Sequence, residues 1–214
     1  MALEYNNYHG EIQKGKHVDQ VLREYFPEPN FKGVFLDIGA FDPVLISNSY
    51  HFEKNGWVVY CFEANTDLIQ KLKEHRKNVF NYAISNENKD SVEFNIVDSG
   101  PWTAGFSAIE ISEEYKEIFK WKDSFNIKKI SVPQKTLNKI IEDEIQDLKS
   151  IDILSIDVEG GEMNCLKGLD INKYKPNIIL IENVSGKKDI ENYLKQFNYK
   201  LDKEFEYNQY YIST

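Results

Sequence analysis

Four short apolar segments constrain the fold of this chain more than any other feature. Each has an acidic residue at or close to its carboxyl end. They are Gly33–Gly39, Trp57–Glu63, Ile151–Asp157 and Asn177–Glu182. A strand that is apolar on both faces is typical of the centre of a parallel sheet, where helices cover both sides. The spacing predicts helices in the gaps: Asn48–Asn55, Thr66–Arg76, Thr136–Asp147, Met163–Leu169 and Lys187–Phe197. Alternating strands and helices predict an α/β fold with a doubly wound, mostly parallel sheet.

The two ends of the chain differ from this repeating pattern. Residues 1–30 are expected to form an N-terminal arm with one short helix near Val18–Tyr25, and residues 31–214 to form the main domain. At the other end, Tyr199–Leu201 and Phe205–Ile212 read as two aromatic strands around a charged turn. This pattern predicts an antiparallel C-terminal edge hairpin.

The acids at the strand ends point to the location of a binding site. In doubly wound sheets, ligands bind beyond the carboxyl ends of the strands, near the point where the strand order reverses. Asp37, Glu63, Asp157 and Glu182 are therefore expected to converge on one crevice. The alternative is that these strands simply end at polar residues.

Composition limits the partners and the compartment. The chain has 214 residues and a net charge of 26 − 35 = −9, which argues against binding nucleic acid through its phosphates. Cys61 and Cys165 lie far apart in apolar runs with no metal-ligand spacing, so they are expected to be reduced thiols. No run is apolar and long enough for a membrane span. We therefore expect a cytoplasmic protein.

The loop after the first apolar strand indicates which nucleotide-like ligand the crevice accepts. Asp37-Ile38-Gly39-Ala40 contains one glycine, without the glycine-rich cradles that hold phosphates. The acids near this loop repel phosphate and attract an ammonium group, whereas Glu63 is placed to accept hydrogen bonds from ribose hydroxyls. A ribose and an ammonium group without phosphates describe S-adenosylmethionine. A nicotinamide dehydrogenase is disfavoured because the second and third glycines of its motif are missing.

Several motifs, taken together and in order, carry a family resemblance. GVFLDIGAFDPVLISNSYHFEKNGWVVYCFEAN is followed by SVPQKTLNKII, IDILSIDVEGGEMNCLKGLD and KPNIILIE. This order resembles the FkbM family of S-adenosylmethionine-dependent methyltransferases, roughly from Lys32 to Asn183. The resemblance implies a Rossmann-like class I methyltransferase fold with a seven-stranded sheet.

The resemblance also implies which residues bind the cofactor. Asp37, Gly39 and Ala40 are expected at its methionine end, and Glu63 at the ribose. The full set of expected cofactor-binding residues is Asp37, Gly39, Ala40, Asp42, Ser47, Asn48, Glu63, Ala83 and Asp157.

Catalysis is expected to depend on the segment Asp157-Val158-Glu159-Gly160-Gly161-Glu162 and its neighbours. An alcohol acceptor must lose a proton, which requires a base or a metal. Candidates for the base are Asp157, Glu159 and His51, and a metal-free base is favoured. Glu182 is expected to orient the acceptor hydroxyl or to bind a metal. The open alternative is a Mg²⁺ site made by Asp157, Glu182 and Asn183. The loop Asp98–Ser107, with Trp102, is interpreted as a lid over the crevice.

These observations predict an S-adenosylmethionine-dependent O-methyltransferase that acts on a hydroxyl of a sugar, a glycan or a related small acceptor. Two alternatives remain: a non-catalytic nucleoside-binding module of the same fold, and an N-methyltransferase. The second is less favoured because an N-P-P-Y motif is absent. The chain is expected to act as part of a larger glycan-assembly protein or as a homodimer.

Overall fold

The structure is a computed structural model, and it describes residues 8–99, 103–111, 116–117 and 125–214. Its helices are α1 (Val18–Glu24), α2 (Tyr50–Lys54), α3 (Thr66–His75), α4 (Leu137–Glu144), α5 (Glu162–Lys167), α6 (Ile171–Tyr174) and α7 (Asp189–Lys195). Its strands are β1 (Ile12–Gln13), β2 (Lys16–His17), β3 (Val34–Ile38), β4 (Val58–Phe62), β5 (Asn78–Phe80), β6 (Ala83–Ile84), β7 (Lys89–Val97), β8 (Ile127–Lys135), β9 (Ile153–Ile156), β10 (Ile178–Glu182), β11 (Tyr199–Phe205) and β12 (Asn208–Ser213). Every described helix is too short or too polar to pass through a lipid bilayer.

Seven strands form the central sheet in the order β11-β12-β10-β9-β3-β4-β5. Strands β10, β9, β3, β4 and β5 pair in parallel, whereas β12 is antiparallel to both β10 and β11. The predicted doubly wound, mostly parallel sheet of seven strands is therefore confirmed. The C-terminal hairpin is also confirmed, and its second strand, β12, lies inside the sheet while β11 forms the edge.

The apolar strands are buried because helices cover both faces of the sheet. Leu36, Ile38 and Leu154 face one core cluster, while Phe35 and Ile153 face the other, and all five have at most 1% of their surface exposed. Alternate side chains along each strand thus enter opposite cores. This two-sided burial is the reason why the strands read as continuous apolar runs in the sequence.

Helix α1 belongs to the second of these cores. Its apolar residues Val18, Val21 and Leu22 pack in the same cluster as Phe35 and Phe52. The N-terminal arm that the sequence predicts is therefore packed on the main domain through this helix.

A small second sheet was not predicted from the sequence. It has the order β6-β8-β7, with β7 and β8 antiparallel and β6 parallel to β8. Phe94, Ile96 and Val132 of this sheet form a separate apolar cluster with Ala64 and Ala83, which border the crevice. The insertion between the main strands thus forms one wall of the site.

Candidate active site

The point where strand order reverses lies between β3 and β9. From β3 the chain continues outward to β4 and β5, and later returns to β9 and continues outward to β10. The loops after β3 and β9 are in contact, because a Cβ atom at Gly39 would lie 1.7 Å from the backbone oxygen of Asp157. Gly39 also has a φ of 85°, so only glycine fits this close approach.

A cavity of about 350 Å³ opens at this point. Eight of the nine expected cofactor-binding residues line it: Asp37, Gly39, Ala40, Ser47, Asn48, Glu63, Ala83 and Asp157. The cavity is also lined by Glu159. Three of the four strand-end acids, Asp37, Glu63 and Asp157, therefore line one cavity.

Glu63 faces the cavity from the end of β4. One carboxylate oxygen accepts a hydrogen bond from the Phe41 N–H at 2.9 Å, and the other accepts one from the Asn65 N–H at 2.7 Å. Burial raises the pKa of Glu63, and these backbone donors oppose that shift. Each carboxylate oxygen has a second acceptor position, so Glu63 still has the capacity to accept two hydroxyl groups.

Asp37 is the centre of a buried polar network that sequence reasoning missed. The Ser49 hydroxyl donates to Asp37, and Arg76 donates to Ser49 and forms an ion pair with Glu53. Arg76 also donates to the backbone oxygen of Pro43 and to the Ser47 hydroxyl, both at 3.2 Å. The side chain of Arg76 has no exposed surface. This arginine therefore fixes the loop that lines the expected methionine end of the cavity.

Asp42 is the expected cofactor residue that does not line the cavity. Its carboxylate pairs with Lys71 and accepts the N–H groups of Val44 and Leu45 at 2.9 and 2.8 Å. Asp42 therefore stabilises the turn after β3. This placement differs from the sequence-based expectation of contact with the cofactor, because the side chain closes its own turn.

Three carboxylates meet at the carboxyl ends of β9 and β10. Asp157, Glu159 and Glu182 each offer an oxygen, and these oxygens lie within 4.8 Å of one another. Burial, together with the nearby charge of Glu162, raises the pKa of Asp157 to about 7. Burial raises the pKa of Glu159 and Glu182 as well, and neighbouring carboxylates add to this shift.

The expected magnesium ligand Asn183 and the candidate base His51 both pack among other residues of the protein. Asn183, the expected third magnesium ligand, donates from its amide to Gln209 and to the Lys187 carbonyl, and its oxygen accepts from Ser185. His51 is only 2% exposed and packs against Tyr8, with ring centroids 4.7 Å apart. His51 is not a wall residue of the cavity, so it is placed as a core side chain, and its role as a base stays a prediction.

The loop interpreted as a lid borders the cavity in its described part. Thr103–Phe106 forms a 3₁₀ turn, and Ala104, Gly105 and Ser107 line the cavity. Trp102, the aromatic residue of the expected lid, lies outside the described residues. The role of the loop as a lid stays a prediction.

Asp19 anchors the N-terminal arm beside the site. It is fully buried, and it accepts a hydrogen bond from the His9 N–H at 2.7 Å. Burial raises the pKa of Asp19 to about 6.

This raised pKa predicts a specific pH dependence of stability. The folded protein binds a proton at Asp19 below pH 6, whereas the unfolded chain does so only near its ordinary pKa of about 4. The contribution of Asp19 to the free energy of unfolding is therefore most favourable below about pH 4. It falls by about 2–3 kcal/mol as the pH rises through 6. We expect unfolding free energies of wild type and Asp19→Asn, measured by urea denaturation from pH 4 to 7, to differ by an amount that changes with pH in this direction. Parallel curves would contradict this prediction.

A family of known proteins matches most of this chain. The family profile described as the methyltransferase FkbM domain matches residues 37–201, which is well over half of the chain. No protein among the curated ones matches. Among solved structures, a precorrin-6Y C5,15-methyltransferase from Geobacter metallireducens is similar, with 13% identity, a TM-score of 0.44, and coverage of 97% of this chain and 93% of that one. That likeness is low, and the family assignment does not depend on it. On the profile match, this chain belongs to the FkbM methyltransferase family.

Proposed function

We propose that this protein uses S-adenosylmethionine to methylate a hydroxyl group of an acceptor molecule. The observation that carries the proposal is the pair Asp157 and Glu159, two carboxylates on the wall of the cavity at the strand-order switch point. Carboxylates accept hydrogen bonds and protons from hydroxyl groups. They lie beside the residues expected to hold the methionine end of the cofactor.

The residues present fit S-adenosylmethionine. Glu63 retains acceptor capacity for two ribose hydroxyls, and Tyr82, Ala83 and Ile84 offer an apolar surface for the adenine. The carboxylate of Asp37 suits the ammonium group of the cofactor. The cofactor supplies an electrophilic methyl group on a sulfonium.

The chain itself has to align the acceptor and take up its proton. In the transfer, the acceptor oxygen forms a bond to the methyl carbon, the carbon–sulfur bond breaks with its electron pair going to sulfur, and the hydroxyl proton goes to a carboxylate. Positioning of the two reactants supplies most of the rate gain in such in-line reactions. The second sheet and the residues Ala104, Gly105 and Ser107 form part of the cavity wall.

The charge of the cavity supports a neutral, hydroxyl-rich acceptor such as a sugar or glycan. Its described wall carries six acidic residues and one lysine: Asp37, Glu63, Glu87, Glu110, Asp157, Glu159 and Lys89. Like charges oppose a phosphorylated or carboxylated acceptor. Sugar hydroxyls, in contrast, donate readily to carboxylates.

The cysteines support a reducing compartment such as the cytoplasm. Cys61 and Cys165 are both free and buried, and proteins of oxidising compartments more often pair their cysteines.

The test is a binding experiment followed by an acceptor screen. S-adenosylhomocysteine is titrated calorimetrically, and the protein is then incubated with S-adenosylmethionine and a panel of neutral monosaccharides, oligosaccharides and amines. We expect saturable binding and a methylated hydroxyl product by mass spectrometry. Binding without transfer would favour the non-catalytic module, and a methylated amine would favour the N-methyltransferase.

Glu63→Ala is expected to weaken binding of S-adenosylhomocysteine by about 30- to 1,000-fold. The loss of two hydroxyl hydrogen bonds to a carboxylate costs about 2–4 kcal/mol. Isothermal titration measures the effect. Glu74→Ala, at an exposed acid on α3, serves as the control and should leave the dissociation constant unchanged. An unchanged constant for Glu63→Ala would remove this residue from the ribose role.

A further inference from the structure

The spacing of Asp157, Glu159 and Glu182 matches that of ligands around one cation. Their closest oxygens all lie within 4.8 Å of one another. Oxygens that share a Mg²⁺ ion at about 2.0–2.1 Å lie at most about 4 Å apart, and oxygens that share a Ca²⁺ ion at about 2.3–2.6 Å lie at most about 5 Å apart. The three carboxylates therefore lie at nearly the separation at which they could share one ion.

A second observation concerns carboxylate oxygens in this cluster that have no hydrogen-bond partner. Glu159 Oε2 and Glu182 Oε2 are each shielded from solvent and have no hydrogen-bond partner. A buried carboxylate oxygen without a partner is costly. The neighbouring Glu162 differs, because its Oε1 accepts the Gly160 N–H at 2.9 Å. Unpaired oxygens thus occur at Glu159 and Glu182 and not at every acid near this loop.

The charges around the cluster also lack compensation. Within the described part of the chain, no lysine or arginine forms an ion pair with any of the three carboxylates. The charges that face them come instead from further acids: Glu11 of the arm, Glu162 of α5 and Asp37 of β3. A bound divalent cation would supply the missing positive charge.

We propose that Asp157, Glu159 and Glu182 together bind one hard divalent cation, such as Mg²⁺ or Mn²⁺, next to the acceptor hydroxyl. The proposal rests on the proposed function and deepens it, because a cation that binds the acceptor oxygen lowers the pKa of that hydroxyl. Hard cations prefer oxygen ligands. Glu159 here takes the place expected for Asn183, whose amide is already bonded.

The test measures metal binding directly, without an acceptor. Mn²⁺ is titrated into the full chain saturated with S-adenosylhomocysteine, and binding is followed by electron paramagnetic resonance of the free ion. We expect one saturable site in the wild type, from which Mg²⁺ displaces Mn²⁺. Glu159→Gln and Glu182→Gln should each weaken Mn²⁺ binding by at least about tenfold, whereas Glu110→Gln, at a cavity acid outside the cluster, should not.

The outcomes separate this proposal from the proposed function. Binding of S-adenosylhomocysteine without a saturable Mn²⁺ site would overturn the metal site and leave the methyltransferase proposal standing. Equal Mn²⁺ affinity in wild type and both cluster variants would also overturn it. A chain that binds no S-adenosylhomocysteine would count against the proposed function instead. If one variant does not fold, as judged by circular dichroism, the other variant and Asp157→Asn decide the matter.

Discussion

Arg76→Met is expected to lower the free energy of unfolding by about 3–5 kcal/mol, because it leaves a buried charge without its partner. Arg76 pairs with Glu53, and both side chains are less than 10% exposed. Glu53 would then keep only the Lys77 N–H as a hydrogen-bond donor, and Ser49 would lose its donor. Denaturation in urea, with the circular dichroism signal as the readout, measures the change.

A matched control is the surface ion pair between Lys71 and Asp42, in which the lysine is 54% exposed. Lys71→Met should change the unfolding free energy by less than about 1 kcal/mol, because solvent screens this pair. The double variant Arg76→Met/Glu53→Met should recover part of the loss, since no unpaired charge remains. A value for Arg76→Met within the range of the control would contradict a stabilising role for this buried pair.

The strands were predictable because their sequence signal is local. The run Trp57–Glu63 predicts β4, observed at Val58–Phe62, from the burial of both strand faces alone. The convergence of Asp37, Glu63 and Asp157 then follows from topology, since parallel strands end at the same edge of a sheet. Neither step requires information about distant residues.

The second sheet was missed because its signal is divided between distant segments. Val92, Phe94 and Ile96 alternate in β7, and Ile130 and Val132 alternate in β8, as half-buried strands do. The partners that pair across these strands are at least 30 positions apart in the sequence, and Phe94 and Ile130 are 36 apart. The alternation was a usable signal for each strand, but their pairing was not visible in the sequence.

The composition of the carboxylate cluster also depends on a feature that the sequence does not show. Glu159 follows β9 by three residues and has a φ of 60°, which is unusual for a residue other than glycine. In this structure, its side chain joins Asp157 and Glu182. The sequence instead favours Asn183 as the third ligand because it is adjacent to Glu182. Proximity along the chain thus indicates Asn183, whereas the sharp turn of the backbone brings Glu159 to the cluster.

Glu159→Gln is expected to lower the rate of methyl transfer by about 10²- to 10⁴-fold. The change removes a negative charge from the cavity wall but preserves the size of the side chain. Binding of S-adenosylhomocysteine should stay within about threefold of wild type, equivalent to less than 1 kcal/mol, because the residues expected to hold the nucleoside follow β4 and β5. Single-turnover transfer to the acceptor found by the screen, together with calorimetric titration, separates these two effects.

Glu110→Gln is the control for this experiment, since it removes a carboxylate from the same cavity but outside the cluster. A loss of rate in Glu159→Gln alone ties the chemistry to the cluster, whether its carboxylate accepts the proton or holds a cation. An equal loss in both variants would instead indicate that the rate follows the overall charge of the cavity. Full activity in Glu159→Gln and Asp157→Asn would exclude the cluster from proton transfer, and the acceptor would then have to lose its proton to another group of the wall.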